Sequence, residues 1–296
     1  MKYVLTLAVN SEFANLDTSS VAVATEALAK AGASLGAPDW LADDIACDIP
    51  FDSISPTTAD TLIRAQLTDV DIFAQPQSGR RKSLLLSDMD ATMVTCETLD
   101  ELADFAGKKN EIAEITARAM NGEIAYDDSL RQRVAMLAGL SVDSLEKTLV
   151  RMELTPGART LVQTMRKNGA FTALVSSGFK FFTRHIREQI GFHEDVSNEF
   201  EIKDGTLTGE IDGTIMNKDG KLSALRRFVE QQGVALSDAV TVGDGANDLP
   251  MLQAAGLGIA FHAKPVVAAS AQFQIKHSDL TSVLYAQGYK RNEFVD

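Results

Sequence analysis

Leu84-Leu85-Leu86-Ser87-Asp88-Met89-Asp90-Ala91-Thr92-Met93 joins an apolar run to two carboxylates spaced two residues apart and a threonine. Read as a buried parallel strand, 84–86 carries Asp88 and Asp90 to the carboxyl edge of a sheet, where open α/β folds place their chemistry. Two acids this close do not both ionise freely unless a cation lies between them. Taken alone, an Asp-x-Asp is more often an Asp-rich turn at a strand end. The rest of the chain decides the matter.

Beyond residue 83 the pattern is one of strands alternating with longer helices. The short apolar runs 171–175 and 239–242 end in Ser176-Ser177-Gly178 and Gly243-Asp244-Gly245, each followed by a helix-like segment, and 258–261 and 273–275 read as further strands. This predicts an α/β fold with a mostly parallel, doubly wound sheet. Between 95 and 156 only helices are predicted, with Leu130, Val134 and Leu137 on one face, so this insertion reads as a helical cap over the end of the first strand. Asp204-Gly205 marks a hairpin within 198–216.

Carboxyl ends of neighbouring parallel strands converge, so Asp88 and Asp90, the Ser176 turn, and Asp244 with Asn247 and Asp248 are expected to share one crevice. Four carboxylates without histidine or thiolate suit a hard, oxygen-preferring cation, and Mg²⁺ is the natural choice where phosphate completes its shell. Ser176, with the amides of Ser177 and Gly178 at a helix start, suits a phosphate oxygen. Lys221 precedes the apolar face of Leu222, Leu225, Phe228 and Val229, which directs it to the same edge. Singly these features are weak, since a lone lysine is usually a solvated charge and Ser-Ser-Gly a turn.

The first eighty residues follow another pattern: strand 3–9, helix 21–31 capped by Ser19 or Ser20, strand 41–49, helix 57–66 and strand 70–74. They form a small α+β unit without a phosphate loop or a His/Asp/Glu cluster. Residues 75–82 supply Pro, Gly, Ser and three consecutive cations, which read as a solvated linker. Two domains are therefore expected, 1–80 and 81–296. The 296-residue chain is 45% hydrophobic, enough for real cores, and its 28 Lys+Arg against 41 Asp+Glu give a formal charge of −13. That balance argues against nucleic acid or an anionic membrane as the main partner. Cys47 and Cys96 fit neither a zinc site nor a disulfide framework. No signal peptide or spanning segment is read, so the expected location is the cytoplasm.

Asp-x-Asp-x-Thr after a strand, a strand ending in serine, a lysine, and Gly-Asp-Gly-x-x-Asp after another strand occur here in the order of the haloacid dehalogenase superfamily of phosphohydrolases, which the chain resembles over 83–285. Segments 88–101, 129–134, 175–179 and 243–251 extend the likeness to the phosphoserine phosphatase family within it. The resemblance implies Mg²⁺-dependent hydrolysis of O-phospho-L-serine, the last step of serine biosynthesis, through an aspartyl phosphate. It makes Asp88 the nucleophile and Asp90 the acid that protonates the leaving oxygen. Asp88, Asp244 and the main-chain carbonyl of Asp90 would hold the metal, supported by Asp248. Lys221, Ser176, Ser177 and Asn247 would bind the phosphate end. In the cap, Glu97 would meet the substrate ammonium and Arg133 its carboxylate, while Met120 and Tyr126 close an apolar wall. The alternatives are that Arg131 is the inward arginine and that Glu97 is a solvated helix-start acid. Ala91 stands where the family commonly has serine, and Ser177 where it has glycine. The first domain resembles ACT-like regulatory or dimer-forming modules, which leaves a homodimer open. Two other readings stay in view: action on another small phosphomonoester, and an amino-acid sensor with little turnover, which the intact motifs disfavour.

Overall fold

The computed structural model describes the chain except residues 11, 13, 121, 122 and 296 and the side chain of Met120, so the wall assigned to Met120 lies outside the described residues. The N-terminal region runs β1 (Tyr3–Ala8), α1 (Thr18–Lys30), β2 (Ser34–Leu35), β3 (Asp39–Ala42), β4 (Ala46–Asp52), α2 (Pro56–Arg64) and β5 (Asp71–Pro76). Its antiparallel sheet has the order β2-β4-β1-β5 with β3 also on β4, the split β-α-β arrangement of ferredoxin-like folds. One face of α1 and α2 packs Val21, Leu28 and Ile63 against Leu5, Ile49 and Ile72. Three local expectations are corrected here. Helix α1 is capped by Asp17, whose Oδ1 accepts from Ser20 N at 2.7 Å, rather than by Ser19 or Ser20. A carboxylate is as good an acceptor there as a hydroxyl, and it adds charge at the helix start. The run 41–49 is two strands, because Asp44 turns the chain at φ +56°.

The third correction concerns 75–82, where 76–79 and Arg81 are exposed as expected but Gln75, Arg80 and Lys82 are held against the protein. Gln75 is buried within β5 and donates to Ala286 O at 2.6 Å, Arg80 pairs with buried Asp48, and Lys82 Nζ donates to Gly79 O and Ser237 O at 2.8 Å each. Asp71 fastens the same boundary. Its buried carboxylate accepts from Lys276 N and Ser278 N at 2.8 Å and from Ser278 Oγ at 2.6 Å. Asp71→Ala leaves those donors without an acceptor at roughly 1–3 kcal/mol each. We expect urea unfolding to show a loss of about 3 kcal/mol or more; an unchanged midpoint would mean that water replaces the carboxylate.

The larger region continues with β6 (Leu84–Ser87), then the cap helices α3 (Thr98–Phe105), α4 (Lys109–Met120), α5 (Tyr126–Ala135) and α6 (Asp143–Arg151). After it come α7 (Ala158–Lys167), β7 (Phe171–Phe179), α8 (Lys180–Ile190), β8 (Glu194–Lys203), β9 (Thr206–Asp212) and α9 (Lys218–Gln232). The chain closes with β10 (Ala239–Gly243), α10 (Leu249–Ala254), β11 (Leu257–Phe261), α11 (Pro265–Ala268), β12 (Phe273–Ile275) and α12 (Ser282–Ala286). Among the described residues these strands form a seven-stranded sheet of order β12-β11-β10-β6-β7-β8-β9, parallel except for the β8/β9 hairpin at one edge. The mostly parallel, doubly wound α/β expectation is borne out. Alternate residues of β6 serve opposite faces, Leu85 joining one apolar cluster and Leu84 with Leu86 the other. The order reverses between β6 and β10, so a crevice opens beyond their carboxyl ends. An antiparallel bridge between Val94 and Leu154 closes the base of the helical insertion. No helix among the described residues is long and apolar enough to cross a membrane.

Candidate active site

Asp88 is the first residue beyond β6, and its amide still donates to Val242 O of β10 at 3.0 Å. The strand pairing therefore places its side chain at the point where the sheet order reverses. Asp88 Oδ1 accepts from Met89 N at 2.7 Å and pairs with Lys221 Nζ at 2.8 Å. Lys221 is wholly buried and also pairs with Asp248 Oδ1 at 2.7 Å. It reaches this place because Asn217 caps α9, its Oδ1 accepting from Asp219 N and Gly220 N. Burial works against the ammonium charge, but Asp248 and Asp88 outweigh it and hold the lysine protonated.

One oxygen from each of Asp88, Asp244 and Asp248 lies within 4.8 Å of the others. Asp248 Oδ2 additionally accepts from Gly245 N at 3.0 Å. Burial, then Asp88 and Glu97, push Asp244 up to about 7. Asp248 is raised well above the carboxylate range by burial and by Asp88, despite the opposing pull of Lys221. Three carboxylates facing one ammonium are short of positive charge, and an all-oxygen set of this kind fits a hard divalent cation such as Mg²⁺. The Asp90 carboxyl is not a member of this group.

Asp90 has different surroundings. Its pKa is raised to about 8 by burial, then by Glu97 and Asp88, which favours the protonated carboxyl over the carboxylate. Thr98 N donates to Asp90 Oδ1 at 3.1 Å. That contact exists because the chain turns at Ala91, with φ +50° and its amide on Cys96 O, and returns past the crevice into α3. No motif advertised the Thr98 amide, since a backbone donor leaves no residue signature.

The serine turn is not the start of a helix, as expected from its sequence, but the end of β7, with α8 beginning only at Lys180. Ser176 is buried, and its Oγ accepts from Gly178 N at 2.8 Å, so one of the two amides expected to face phosphate is taken up internally. A Cβ at Gly178 would lie 2.8 Å from Asp90 Oδ2 and 3.0 Å from Ser176 Oγ, which is why glycine stands there. Ser177 Oγ accepts from Asn247 Nδ2 at 3.2 Å.

In the cap, Arg133 points inward, with a buried Nε that has no protein partner, whereas Arg131 is exposed. Glu97 is exposed, as the reading of a solvated helix-start acid has it. It stands at the start of α3 without capping that helix. Loss of hydration still raises its pKa, with Asp88 and Asp100 adding repulsion and Arg133 and Lys264 offsetting part of it. Lys264, from the turn after β11, had no signal in the sequence because tertiary packing alone brings it near Glu97. Tyr126 is half-buried and lies against Ser177.

A doubly wound sheet with an aspartate-lined switch point under an inserted helical cap defines a class of capped α/β hydrolases. Residues 85–253 match the family described as haloacid dehalogenase-like hydrolase, and the chain belongs to that family. A phosphoserine phosphatase of Streptomyces coelicolor is 44% identical over 225 residues, covering 76% of this chain and 55% of that protein. One from a Polaromonas species is 45% identical over 207 residues, covering 68% of this chain and 88% of that protein. The chain thus spans about half the length of the first of these relatives and most of the second. The crystal structure of a haloacid dehalogenase family hydrolase from Salmonella enterica serovar Typhi superposes with a TM-score of 0.85 at 28% identity, covering 97% of this chain and 98% of that one.

Proposed function

We propose that this chain hydrolyses O-phospho-L-serine to L-serine and phosphate, the step that completes serine synthesis from its phosphate, with Mg²⁺ as cofactor. The observation that carries the reading is the division of labour between neighbouring acids. Asp88 pairs with a buried ammonium, while Asp90, two residues on, takes the Thr98 amide instead and is pushed toward its protonated form. Asp88 attacks phosphorus as the bond to the serine oxygen breaks, and Asp90 gives that oxygen its proton. Asp90 then takes a proton from the water that cleaves the aspartyl phosphate, which releases phosphate and restores Asp88. Lys221 and Ser176 hold the non-bridging oxygens as charge redistributes. Asp88, Asp244 and the Asp90 carbonyl would hold the metal, with Asp248 fixed behind them by Lys221. Bound Mg²⁺ supplies charge that offsets repulsion between an anionic nucleophile and an anionic phosphate.

The substrate assignment is supported by the relatives named above and by Arg133, whose buried Nε lacks an acceptor of the kind a carboxylate provides. Glu97, nearby, supplies the acid for an ammonium. We also assign 1–80 to a regulatory or dimer-forming module and 81–296 to the catalytic unit with its cap at 95–156, a division supported by the separate apolar cluster beneath α1 and α2. The test is phosphate release from phosphoserine with and without Mg²⁺, beside a panel of other phosphomonoesters. No release from phosphoserine, or faster release from another ester, overturns the reading. Glu97→Gln and Arg133→Ala are expected to lower kcat/KM for phosphoserine by about a hundredfold each, the range for lost charged hydrogen bonds. Both should spare 4-nitrophenyl phosphate, and equal losses on the two substrates would remove these residues from substrate recognition.

A further inference from the structure

Two consecutive cap residues touch two different loops of the core, and a single buried side chain joins those loops. The Tyr126 side chain lies against Ser177, whose Oγ accepts from Asn247. Its neighbour Asp127 accepts from Asn217 Nδ2 at 3.1 Å. Between these contacts lies Asn198 on β8, 2% exposed. Its Nδ2 donates to Ser177 O at 2.7 Å and its Oδ1 accepts from Met216 N at 2.6 Å, the residue before Asn217. A carbonyl only accepts and a backbone amide only donates, so the orientation of Asn198 is unambiguous. The path from Ser177 through Asn198, Met216 and Asn217 to Asp127 runs by hydrogen bonds and backbone, and Tyr126, placed against Ser177, completes it as a ring of contacts.

What the ring joins gives it meaning. Ser177 follows Ser176 directly, and Asn217 caps the helix that carries Lys221. Tyr126 and Asp127 open α5, which carries Arg133. One ring therefore spans the phosphate end of the crevice and the helix that presents the cap's guanidinium. We propose that Asn198 is a positioning residue, which clasps the first turn of α5 to the core through Asn217 and Asp127 and so sets Arg133 in register with Ser176 and Lys221. The inference rests on the functional reading above for its kinetic consequence, but not for its structural one.

Hydrogen exchange of the metal-free, substrate-free protein reads the clasp directly. Asp127→Ala and Asn198→Asp, the latter placing an acceptor against Ser177 O, should each speed exchange of the α5 amides by about five- to tenfold, the worth of one or two hydrogen bonds. Asp128→Ala, on the same turn but exposed, should leave exchange unchanged. In turnover, Asn198→Asp should raise KM for phosphoserine about fivefold or more while changing KM for 4-nitrophenyl phosphate little. A merely structural role would move both substrates together and lower the unfolding midpoint without singling out α5. Unchanged α5 exchange in Asn198→Asp, or equal acceleration in Asp128→Ala, overturns the clasp. If the exchange pattern appears and phosphoserine is not a substrate, the functional reading fails and the clasp stands.

Discussion

Asp88→Asn is expected to abolish phosphoenzyme formation and to lower kcat on phosphoserine by at least about a thousandfold, because a neutral amide is no nucleophile toward phosphorus. The substitution is isosteric, and the amide oxygen can still accept from Met89 N, so the fold is expected to persist. Asp90→Asn is expected to behave differently. It keeps an oxygen for Thr98 N and leaves the Asp88, Asp244 and Asp248 group unaltered, so substrate and Mg²⁺ should still bind. It has no proton to give or take, so both halves of the cycle slow, the usual worth of general acid–base help being about a hundred- to ten-thousandfold. With 4-nitrophenyl phosphate, whose leaving group needs no proton, the first half recovers and the second does not. Labelled phosphoenzyme should then accumulate in Asp90→Asn and never in Asp88→Asn. Matched behaviour of the two variants would contradict the division between them.

Lys221→Met should be the most damaging change to stability. The side chain it replaces is fully buried and pairs with Asp88 at 2.8 Å and Asp248 at 2.7 Å. Methionine fills similar space but leaves these carboxylates buried without their cation, and breaking a buried pair in this way costs about 3–5 kcal/mol. Loss of a charge that holds the transferred phosphate should also cost about a hundred- to a thousandfold in kcat. Added Mg²⁺ should recover part of the stability, since a second cation meets the same need, while activity stays low. Thermal unfolding with and without Mg²⁺ separates the two effects. An unfolding midpoint equal to that of the unsubstituted protein would show that the acids near Lys221 are neutral in the metal-free protein and that the ion pairs contribute nothing.

Much of the architecture was legible from periodicity. The runs at 84–86 and 239–242 are short, rich in aliphatic residues and flanked by turn residues, which suits strands covered on both faces, and each is a strand. Boundaries were less legible where a polar stretch continues a strand. Residues 176–178 extend β7 because tertiary pairing of Phe179 with Asn198 prolongs it, against a local sequence that reads as a turn. Likewise the three cations after Gly79 read as solvated because their partners, Asp48, Ser237 and Glu293, are remote in sequence.

For the site, the spacing of Asp88 and Asp90 after an apolar run, with the later serine, lysine and aspartate turns, determined by itself which groups share the crevice, because parallel strands must present their carboxyl ends together. The sequence also determined that the crevice is rich in oxygen ligands and poor in nitrogen and sulfur. What each acid does was decided only by tertiary structure. Burial beside Glu97 favours the protonated form of Asp90, and the wholly buried Lys221 holds Asp88 and Asp248. Those differences arise from dehydration and from charges remote in sequence, which no local pattern encodes. The same holds for the cap. Its helices are written in their apolar spacing, but the selection of Arg133 over Arg131 and the ring through Asn198 exist only because α5 is packed onto β9 and the turns beside it.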